Sequence, residues 1–260
     1  MPASANLNLM IQAARNAARS LVKDFREVEN LQVSVKGAGD FVSRADFAAE
    51  KIIQEELMEA RPNYGWVGEE SEPVQGKDPT RRWIVDPLDG TNNFLHGNPH
   101  FAVSIALEFK GEIVAGVVFD VAKDEMFYAE KGFGAFMNQT RLRVSGRRRM
   151  IECLFGTSLP HSGDRNLPKH QMQLAQVLPA VSGVRTLGAT ALDLAYVAAG
   201  RLEGYWERNL GPWDIAAGLL LVEEAGGKVE PLWPDRGILE SGSFLASNGH
   251  MAQALRANIE

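Results

Sequence analysis

A short apolar strand that ends in two acids constrains the fold of this chain more than any other segment. The run Trp83-Ile84-Val85 is aromatic and β-branched, which predicts a buried strand. Pro87 has no N–H for a sheet ladder and pushes Asp86 into an extended conformation, so we expect the strand to stop near Asp86. Asp89 and Gly90 then predict a turn that leads into a short helix.

The residues after this strand have the chemistry of a cation and anion site. Asp86 and Asp89 lie three residues apart across a tight turn, and carboxylate oxygens are the ligands that Mg²⁺ or Ca²⁺ takes. The backbone N–H groups of Gly90 and Thr91 lie at the expected start of a helix, where anions bind. Turns and helix caps use the same residue types, so this run alone also fits a purely structural role.

Composition describes an ordinary globular chain and excludes several classes of protein. The 260 residues are 45% hydrophobic and 23% charged, which suits a large core and argues against disorder. The single cysteine, Cys153, excludes an intramolecular disulfide framework and a cysteine-based zinc site. With no leader-like first residues and no run of about eighteen apolar residues, we expect a cytoplasmic protein that does not enter a membrane. The net charge of −6 makes nucleic acid a poor main partner, and it means that a phosphate ester needs local positive charge to bind.

Hydrophobic periodicity predicts an N-terminal half of two helices followed by antiparallel sheet. The helices are expected from Leu7 to about Val28 and from Ser43 to before Pro62, with a polar loop from Lys36 to Asp40 between them. The strands are expected at Gly65–Glu69, Arg82–Asp86, Phe101–Phe109, Glu112–Asp120 and Glu125–Glu130.

The C-terminal half reads differently, because helices and strands alternate there. Strands are expected near Glu152–Ser158, Gly204–Glu207, Lys228–Pro231 and Ser243–Ser247. Helices are expected near Leu167–Leu178, Thr190–Ala199 and Trp213–Ala225. We place a boundary at the basic run Arg147-Arg148-Arg149, so that residues 1–147 carry the main metal and phosphate motifs and residues 148–260 add Asp214 and substrate contacts.

Three separate motifs follow one another along the chain: Gly68-Glu69-Glu70-Ser71, Trp83–Phe94 and Trp213-Asp214-Ile215-Ala216-Ala217-Gly218. Their order and spacing resemble those of the inositol monophosphatase family of metal-dependent phosphatases over nearly the whole chain. The resemblance implies an α/β (α+β layered) fold, an αβαβα sandwich of two packed subdomains. It also implies a homodimer and two or three Mg²⁺ ions per site.

The resemblance also assigns roles to individual residues. The expected metal ligands are Glu69, Asp86, the carbonyl of Leu88, Asp89 and Asp214. The expected substrate-binding residues are Gly90, Thr91, Thr190, Ala191 and Glu207. The expected catalytic residues, which would position the nucleophilic water, are Glu69, Thr91 and its partner Asp46. Lys36 and Asp40 match a mobile loop that is associated with a weaker metal.

The reaction implied is hydrolysis of inositol 1-phosphate to inositol and phosphate by an activated water. Fructose-1,6-bisphosphatase and histidinol-phosphate phosphatase remain alternatives on the same scaffold, and Ser158–His170 with Glu207 and Arg208 would decide between them. A hypothesis of another class is a regulatory module that binds RNA or an acidic protein through Arg141, Arg143 and Arg147–Arg149. That segment has no aromatic residues for base stacking, so a solvated face is its default interpretation.

Overall fold

Two β-sheets with helices on their faces organise the chain. The computed structural model describes residues 4–27, 33–37, 40–159 and 167–259, and it describes 33–37 and 40–43 by their backbone alone. Within those ranges the helices are α1 (Ala5–Phe25), α2 (Arg44–Ala60), α3 (Thr91–Leu95), α4 (Leu167–Val177), α5 (Thr190–Ala198), α6 (Pro212–Glu224), α7 (Ile238–Ser241) and α8 (Ala252–Ile259). The strands are β1 (Val33–Gly37), β2 (Asp40–Ser43), β3 (Gly65–Gly68), β4 (Arg81–Asp89), β5 (Ala102–Phe109), β6 (Glu112–Asp120), β7 (Glu125–Glu130), β8 (Gly134–Met137), β9 (Thr140–Arg141), β10 (Leu154–Thr157), β11 (Gly183–Arg185), β12 (Gly204–Glu207), β13 (Lys228–Pro231) and β14 (Phe244–Ser247).

The two large sheets use different parts of the sequence. The first has the order β3-β4-β5-β6-β7-β8-β9, with β3 parallel to β4 and the following pairs antiparallel. The second has the order β11-β10-β12-β14-β13, with β10 parallel to both neighbours and β14 antiparallel to both of its own. The sheets therefore lie on either side of residue 147 in sequence, and the division into 1–147 and 148–260 stays a prediction.

Three apolar cores separate the layers and fix their order. Helices α1 and α2 cover one face of the first sheet, and their apolar stripes bury residues such as Leu21 and Ile53 against Trp83. Helices α5 and α6 lie between the two sheets in a second core, and α4 and α8 cover the outer face of the second sheet. This arrangement confirms the layered αβαβα sandwich.

Close packing in the middle layer requires small residues. A Cβ atom on Gly218 of α6 would lie 2.6 Å from the Cβ atom of Leu194 in α5. A Cβ atom on Gly116 of β6 would lie 3.0 Å from the backbone of Ala217. Glycine thus lets α6, which carries Asp214, approach both its neighbouring helix and the first sheet.

The predicted helices and strands are confirmed with small shifts, but two local expectations are wrong. The strand expected to stop near Asp86 continues to Asp89, because Pro87 lies in an irregular stretch of the ladder where its missing N–H costs no pairing. Lys36 and Asp40, which were expected in a loop, lie instead in β1 and β2, and these two strands pair antiparallel. Residues 38 and 39 lie outside the described ranges, as do the side chains of Lys36 and Asp40.

Candidate active site

Three aspartates from distant parts of the sequence converge at one end of the first sheet. Asp86 and Asp89 lie at the end of β4, and Asp214 lies in the first turn of α6. One carboxylate oxygen from each lies within 4.8 Å of the others. Asp86 and Asp89 are buried, with 1% and 7% of their surface exposed, and Asp214 is partly buried. Acidic side chains in this position cannot be explained as a solvated surface.

A one-residue bulge puts the side chains of Asp86 and Asp89 on the same face of the sheet. Asp86 faces Ser104 on β5 and Asp89 faces Ala102, so three steps along β4 match two steps along β5. In a regular strand, residues three apart point to opposite faces, and the extra residue returns both aspartates to one face. The backbone N–H of Leu88 donates to Oδ1 of Asp86 at 2.9 Å, which fixes this carboxylate within the bulge.

The N-terminus of α5 holds Asp89 from the other half of the chain. The backbone N–H of Thr190 donates to Oδ1 of Asp89 at 3.1 Å, and that of Ala191 donates to Oδ2 at 2.8 Å. Both oxygens of one carboxylate are therefore bound by the first turn of a helix, where the macrodipole favours negative charge. Thr190 and Ala191, expected near the substrate, thus have a structural contact as well, and their substrate role stays a prediction.

Asp214 is fixed by the start of its own helix. The backbone N–H of Gly211 donates to Oδ2 of Asp214 at 2.7 Å, and Pro212 occupies the first turn of α6, where no N–H is needed. Ser104, opposite Asp86 on β5, donates its hydroxyl to the carbonyl of Trp213 at 3.1 Å. This contact joins the start of α6 to the sheet beside the other two aspartates.

The electrostatics of the three aspartates oppose their ionisation. Burial, and then the charges of Glu69, Asp89 and Asp214, raise the pKa of Asp86 well above its usual range. Burial, and then the charges of Asp89 and Glu69, also raise the pKa of Asp214 well above its usual range. Burial also raises the pKa of Asp89 to about 7, although its hydrogen bonds from Ala191 and Thr190 act in the opposite direction.

This donor set fits a hard divalent cation. Two like charges about 4 Å apart repel by roughly 4 kcal/mol at an effective dielectric constant of 20, so ionised carboxylates here are costly without a counter-charge. Carboxylate and carbonyl oxygens are the ligands that Mg²⁺ and Ca²⁺ prefer. Asp86, Asp89 and Asp214 could therefore hold such an ion. Glu69, on the segment after β3, contributes its charge to the same site but does not belong to the cluster of three aspartates.

The turn after β4 brings Gly90 and Thr91 directly after Asp89. Gly90 has a positive φ of 90°, and a Cβ atom there would lie 3.0 Å from the carbonyl of His100. Thr91 begins α3 and donates its hydroxyl to the carbonyl of Leu88 at 3.0 Å. Asp46 is buried in the first turn of α2, and its pairing with Thr91 stays a prediction.

Two supporting residues escaped the sequence analysis. The Asn93 side chain donates to the carbonyls of His100 at 2.9 Å and Leu187 at 2.8 Å, which ties the turn to the segment before α5. The hydroxyl of Tyr205 donates to the carboxylate of Glu207, the residue expected to contact the substrate's alcohol. Asn93 lies inside the Trp83–Phe94 motif, whereas nothing local marked Tyr205.

The carboxylate cluster and the layered αβαβα fold agree with the family that the three sequence motifs indicated. The chain belongs to the inositol monophosphatase family, whose family model matches residues 4–260. It is 55% identical over 260 residues to an inositol-1-monophosphatase of Rhizobium meliloti, covering 100% of this chain and 98% of that protein. It is 41% identical to the Nus factor SuhB of Pseudomonas aeruginosa, covering 98% of this chain and 95% of that protein.

A solved structure agrees with these sequence relatives. The extragenic suppressor protein suhB from Bartonella henselae superposes with a TM-score of 0.96 at 52% identity, covering 99% of both chains. The protein is therefore a phosphatase of the inositol monophosphatase type. None of the helices in the described ranges combines the length and apolar character needed to cross a membrane.

We expect the metal-free protein to lose stability as the pH rises from 6.5 to 8.5. The folded-state pKa of Asp89 is raised to about 7, so the folded protein binds this proton more tightly than the unfolded chain does, and the advantage disappears as the pH passes 7. Burial lowers the pKa of His100 to about 4, but that group affects stability only below its unfolded pKa of 6.5. Thermal unfolding in EDTA should give a lower Tm at pH 8.5 than at 6.5.

Addition of MgCl₂ is the control for this prediction. If the aspartates bind the cation, the Tm at pH 8.5 should rise by more than the Tm at pH 6.5, because the ion stabilises the ionised form. A Tm in EDTA that increases with pH over this window would contradict the predicted electrostatics.

Proposed function

We propose that this phosphatase hydrolyses the phosphate monoester of a small polyol, with inositol 1-phosphate as its substrate and Mg²⁺ as its cofactor. The observation that carries the proposal is the convergence of Asp86, Asp89 and Asp214 within 4.8 Å. The polyol is supported by the name of the 55% identical relative, inositol-1-monophosphatase. The cation is supported by the all-oxygen donor set.

Five groups are proposed to hold two or three Mg²⁺ ions: Glu69, Asp86, the carbonyl of Leu88, Asp89 and Asp214. When bound, divalent cations supply neutralisation of phosphate charge and a water of lowered pKa. The carbonyl of Leu88 already accepts the Thr91 hydroxyl, and its second lone pair suits a cation. The hydrogen bonds from Leu88, α5 and Gly211 keep the three aspartates oriented before any ion arrives.

Separate roles in hydrolysis are proposed for individual residues of the chain. Glu69, Thr91 and Asp46 are proposed to orient the attacking water and accept its proton. The N–H groups of Gly90 and Thr91 are proposed to face the phosphate oxygens, where charge is spread in the transition state. The water oxygen bonds to phosphorus as the bond to the alcohol oxygen breaks, and the alcohol leaves after gaining a proton.

Selectivity among phosphate esters is proposed to depend on the alcohol side of the site. Glu207, Thr190 and Ala191 are proposed to bind the alcohol, and the start of α5 places the last two close to Asp89. Arg208, which with Glu207 is expected to decide between the alternative phosphatase activities, donates to the Gln173 side chain on α4 at 3.0 Å. Of the segment Ser158–His170, residues 160–166 lie outside the described ranges.

A panel of phosphate esters tests the proposal. The purified protein in MgCl₂ should turn over inositol 1-phosphate with a kcat/KM at least about tenfold above that for fructose 1,6-bisphosphate and histidinol phosphate, which corresponds to 1.4 kcal/mol of selectivity. A higher kcat/KM for either competing ester would replace inositol 1-phosphate by that substrate. Replacing MgCl₂ by CaCl₂ in the same assay tests the identity of the cation.

We propose a homodimer in the cytoplasm, acting on a small-molecule phosphate ester and not on a membrane. Burial of Cys153, whose thiol pKa rises to about 11 mainly by desolvation, suits a protein that keeps a reduced and unreactive thiol. Light scattering that gives the mass of one chain would refute the dimer.

A regulatory role is a second candidate, because several relatives at 38–41% identity are named Nus factor SuhB. Two arginines of the basic run form ion pairs within the chain while their own side chains stay exposed: Arg147 pairs with the buried Glu203 at 2.7 Å, and Arg149 pairs with Glu152 at 2.9 Å. Arg141, Arg143 and Arg148 are exposed. RNA binding that weakens in salt, survives Asp86→Asn and is lost on changing the exposed arginines to glutamate would support this role.

A further inference from the structure

Two hydroxyl groups converge on one oxygen of Glu207. The hydroxyl of Tyr205 donates to Oε2 of Glu207, and the hydroxyl of Thr190 donates to the same oxygen at 2.8 Å. Tyr205 and Glu207 lie two residues apart on β12, so their side chains leave the same face of the strand. The carboxylate is therefore held from its own strand and from the start of α5.

Tyr205 is itself held firmly. It is fully buried, and its ring lies 5.9 Å, centroid to centroid, from that of Phe244. Gly156 faces Tyr205 on the neighbouring β10, and a Cβ atom at Gly156 would lie 2.7 Å from the tyrosine ring. The ring thus has one position, and its hydroxyl has a fixed direction.

The hydroxyl of Tyr205 is a hydrogen-bond donor throughout the working pH range. Burial, and then the negative charges of Glu207 and Asp193, raise the pKa of Tyr205 well above its usual value. Asp193 is buried, and its two carboxylate oxygens have no hydrogen-bond partner among the described residues. Glu207 therefore depends on donors such as Tyr205 and Thr190 to keep its carboxylate oriented in an acidic neighbourhood.

We propose that Tyr205 is a positioning residue that sets selectivity for polyol phosphates by fixing Glu207 as the acceptor of a substrate hydroxyl. The inference rests on the proposed function of this site. With Oε2 engaged by two donors, a hydroxyl on the substrate's alcohol meets a carboxylate whose plane is already set. A phosphate ester without hydroxyl groups gains nothing from this orientation.

The test is the Tyr205→Phe variant assayed on two esters. We expect kcat/KM for the polyol phosphate that the unaltered protein turns over fastest to fall about tenfold, mainly through a higher KM, because an oriented hydrogen bond to a charged group is lost. The kcat/KM for p-nitrophenyl phosphate should fall much less. The matched control is Tyr128→Phe, whose lost hydroxyl donates to the carbonyl of Asn138 away from the site, and which should change neither value.

Two further variants keep the test decisive. Thr190→Val removes the other donor to the same oxygen and should lower the ratio of the two kcat/KM values in the same direction, even if Tyr205→Phe folds poorly. In a Glu207→Ala background, Tyr205→Phe should no longer change the ratio, because its hydroxyl acts through Glu207. An unchanged ratio, or equal losses on both esters, would overturn the inference.

Failure of the inference is distinguishable from failure of the proposed function. The proposed function fails if the unaltered protein hydrolyses no polyol phosphate in MgCl₂. The inference fails if that activity is present but its selectivity over p-nitrophenyl phosphate is the same with and without the Tyr205 hydroxyl.

Discussion

Replacing Asp86 by asparagine should lower kcat/KM by about 10²- to 10³-fold in saturating MgCl₂, the loss typical of removing one directly acting polar group from an active site. Asp86 lies in the cluster with Asp89 and Asp214, and the substitution removes one of the negative charges that attract a cation. An amide also offers one acceptor oxygen where a carboxylate offers two. The measurement is steady-state hydrolysis of inositol 1-phosphate across a MgCl₂ titration.

The same substitution should stabilise the metal-free protein. The pKa of Asp86 is raised by burial and by its acidic neighbours, so at pH 8 its ionised form destabilises the fold. Asparagine removes that charge and keeps an oxygen that can accept the Leu88 N–H. In EDTA at pH 8, the Tm of Asp86→Asn should therefore exceed that of the unaltered protein.

Asp86→Asn is expected to lower kcat/KM and to raise Tm, and loss of folded protein cannot produce both effects. A variant that lost activity by unfolding would have a lower Tm, not a higher one. The matched control is Asp235→Asn, which makes the same chemical change at an exposed position and should alter neither measurement. Full activity of Asp86→Asn in saturating MgCl₂ would refute the metal-centred site.

The fold was largely predictable because its elements have clear periodicity. Helix α1 buries Leu7, Met10, Ala14 and Leu21 on one stripe, and such a stripe is visible without coordinates. The bulge at Pro87 was not predictable in the same way, because proline argues against a strand unless the ladder is irregular at that residue. Short strands such as β9 and β11 were missed, since two or three residues carry too little pattern.

The site was predictable in its residue types but not in its supports. Each aspartate alone also fitted a turn or a helix cap, and the motif order was needed to group them. The hydrogen bonds from α5 to Asp89 join residues about 100 positions apart, and Asn93 reaches Leu187 across 94 positions. Local sequence carries no signal for such contacts, because they depend on how the two sheets pack around the middle helices.

Removing the metal should abolish phosphate binding as well as hydrolysis. The proposed phosphate position lies beside Asp86, Asp89 and Asp214, and the ion pairs formed by the described residues include none to these three aspartates. At an effective dielectric constant of 20, each charge about 4 Å from a phosphate charge adds roughly 4 kcal/mol of repulsion. Two backbone N–H groups, at Gly90 and Thr91, cannot offset several such pairs, since each neutral hydrogen bond contributes about 1 kcal/mol.

Isothermal titration with inorganic phosphate measures this effect without any turnover. At pH 8 in EDTA we expect no binding at millimolar phosphate, and in MgCl₂ we expect a measurable Kd. The unaltered protein in MgCl₂ and Asp86→Asn in MgCl₂ form the matched pair, because the variant has weaker cation binding but the same backbone donors. Equal phosphate affinity with and without the cation would mean that the turn at Gly90 binds phosphate by itself. Cation-dependent affinity would instead show how a chain with a net charge of −6 accepts a dianionic substrate, since the carboxylates that repel phosphate are the ones that bind its counter-charge.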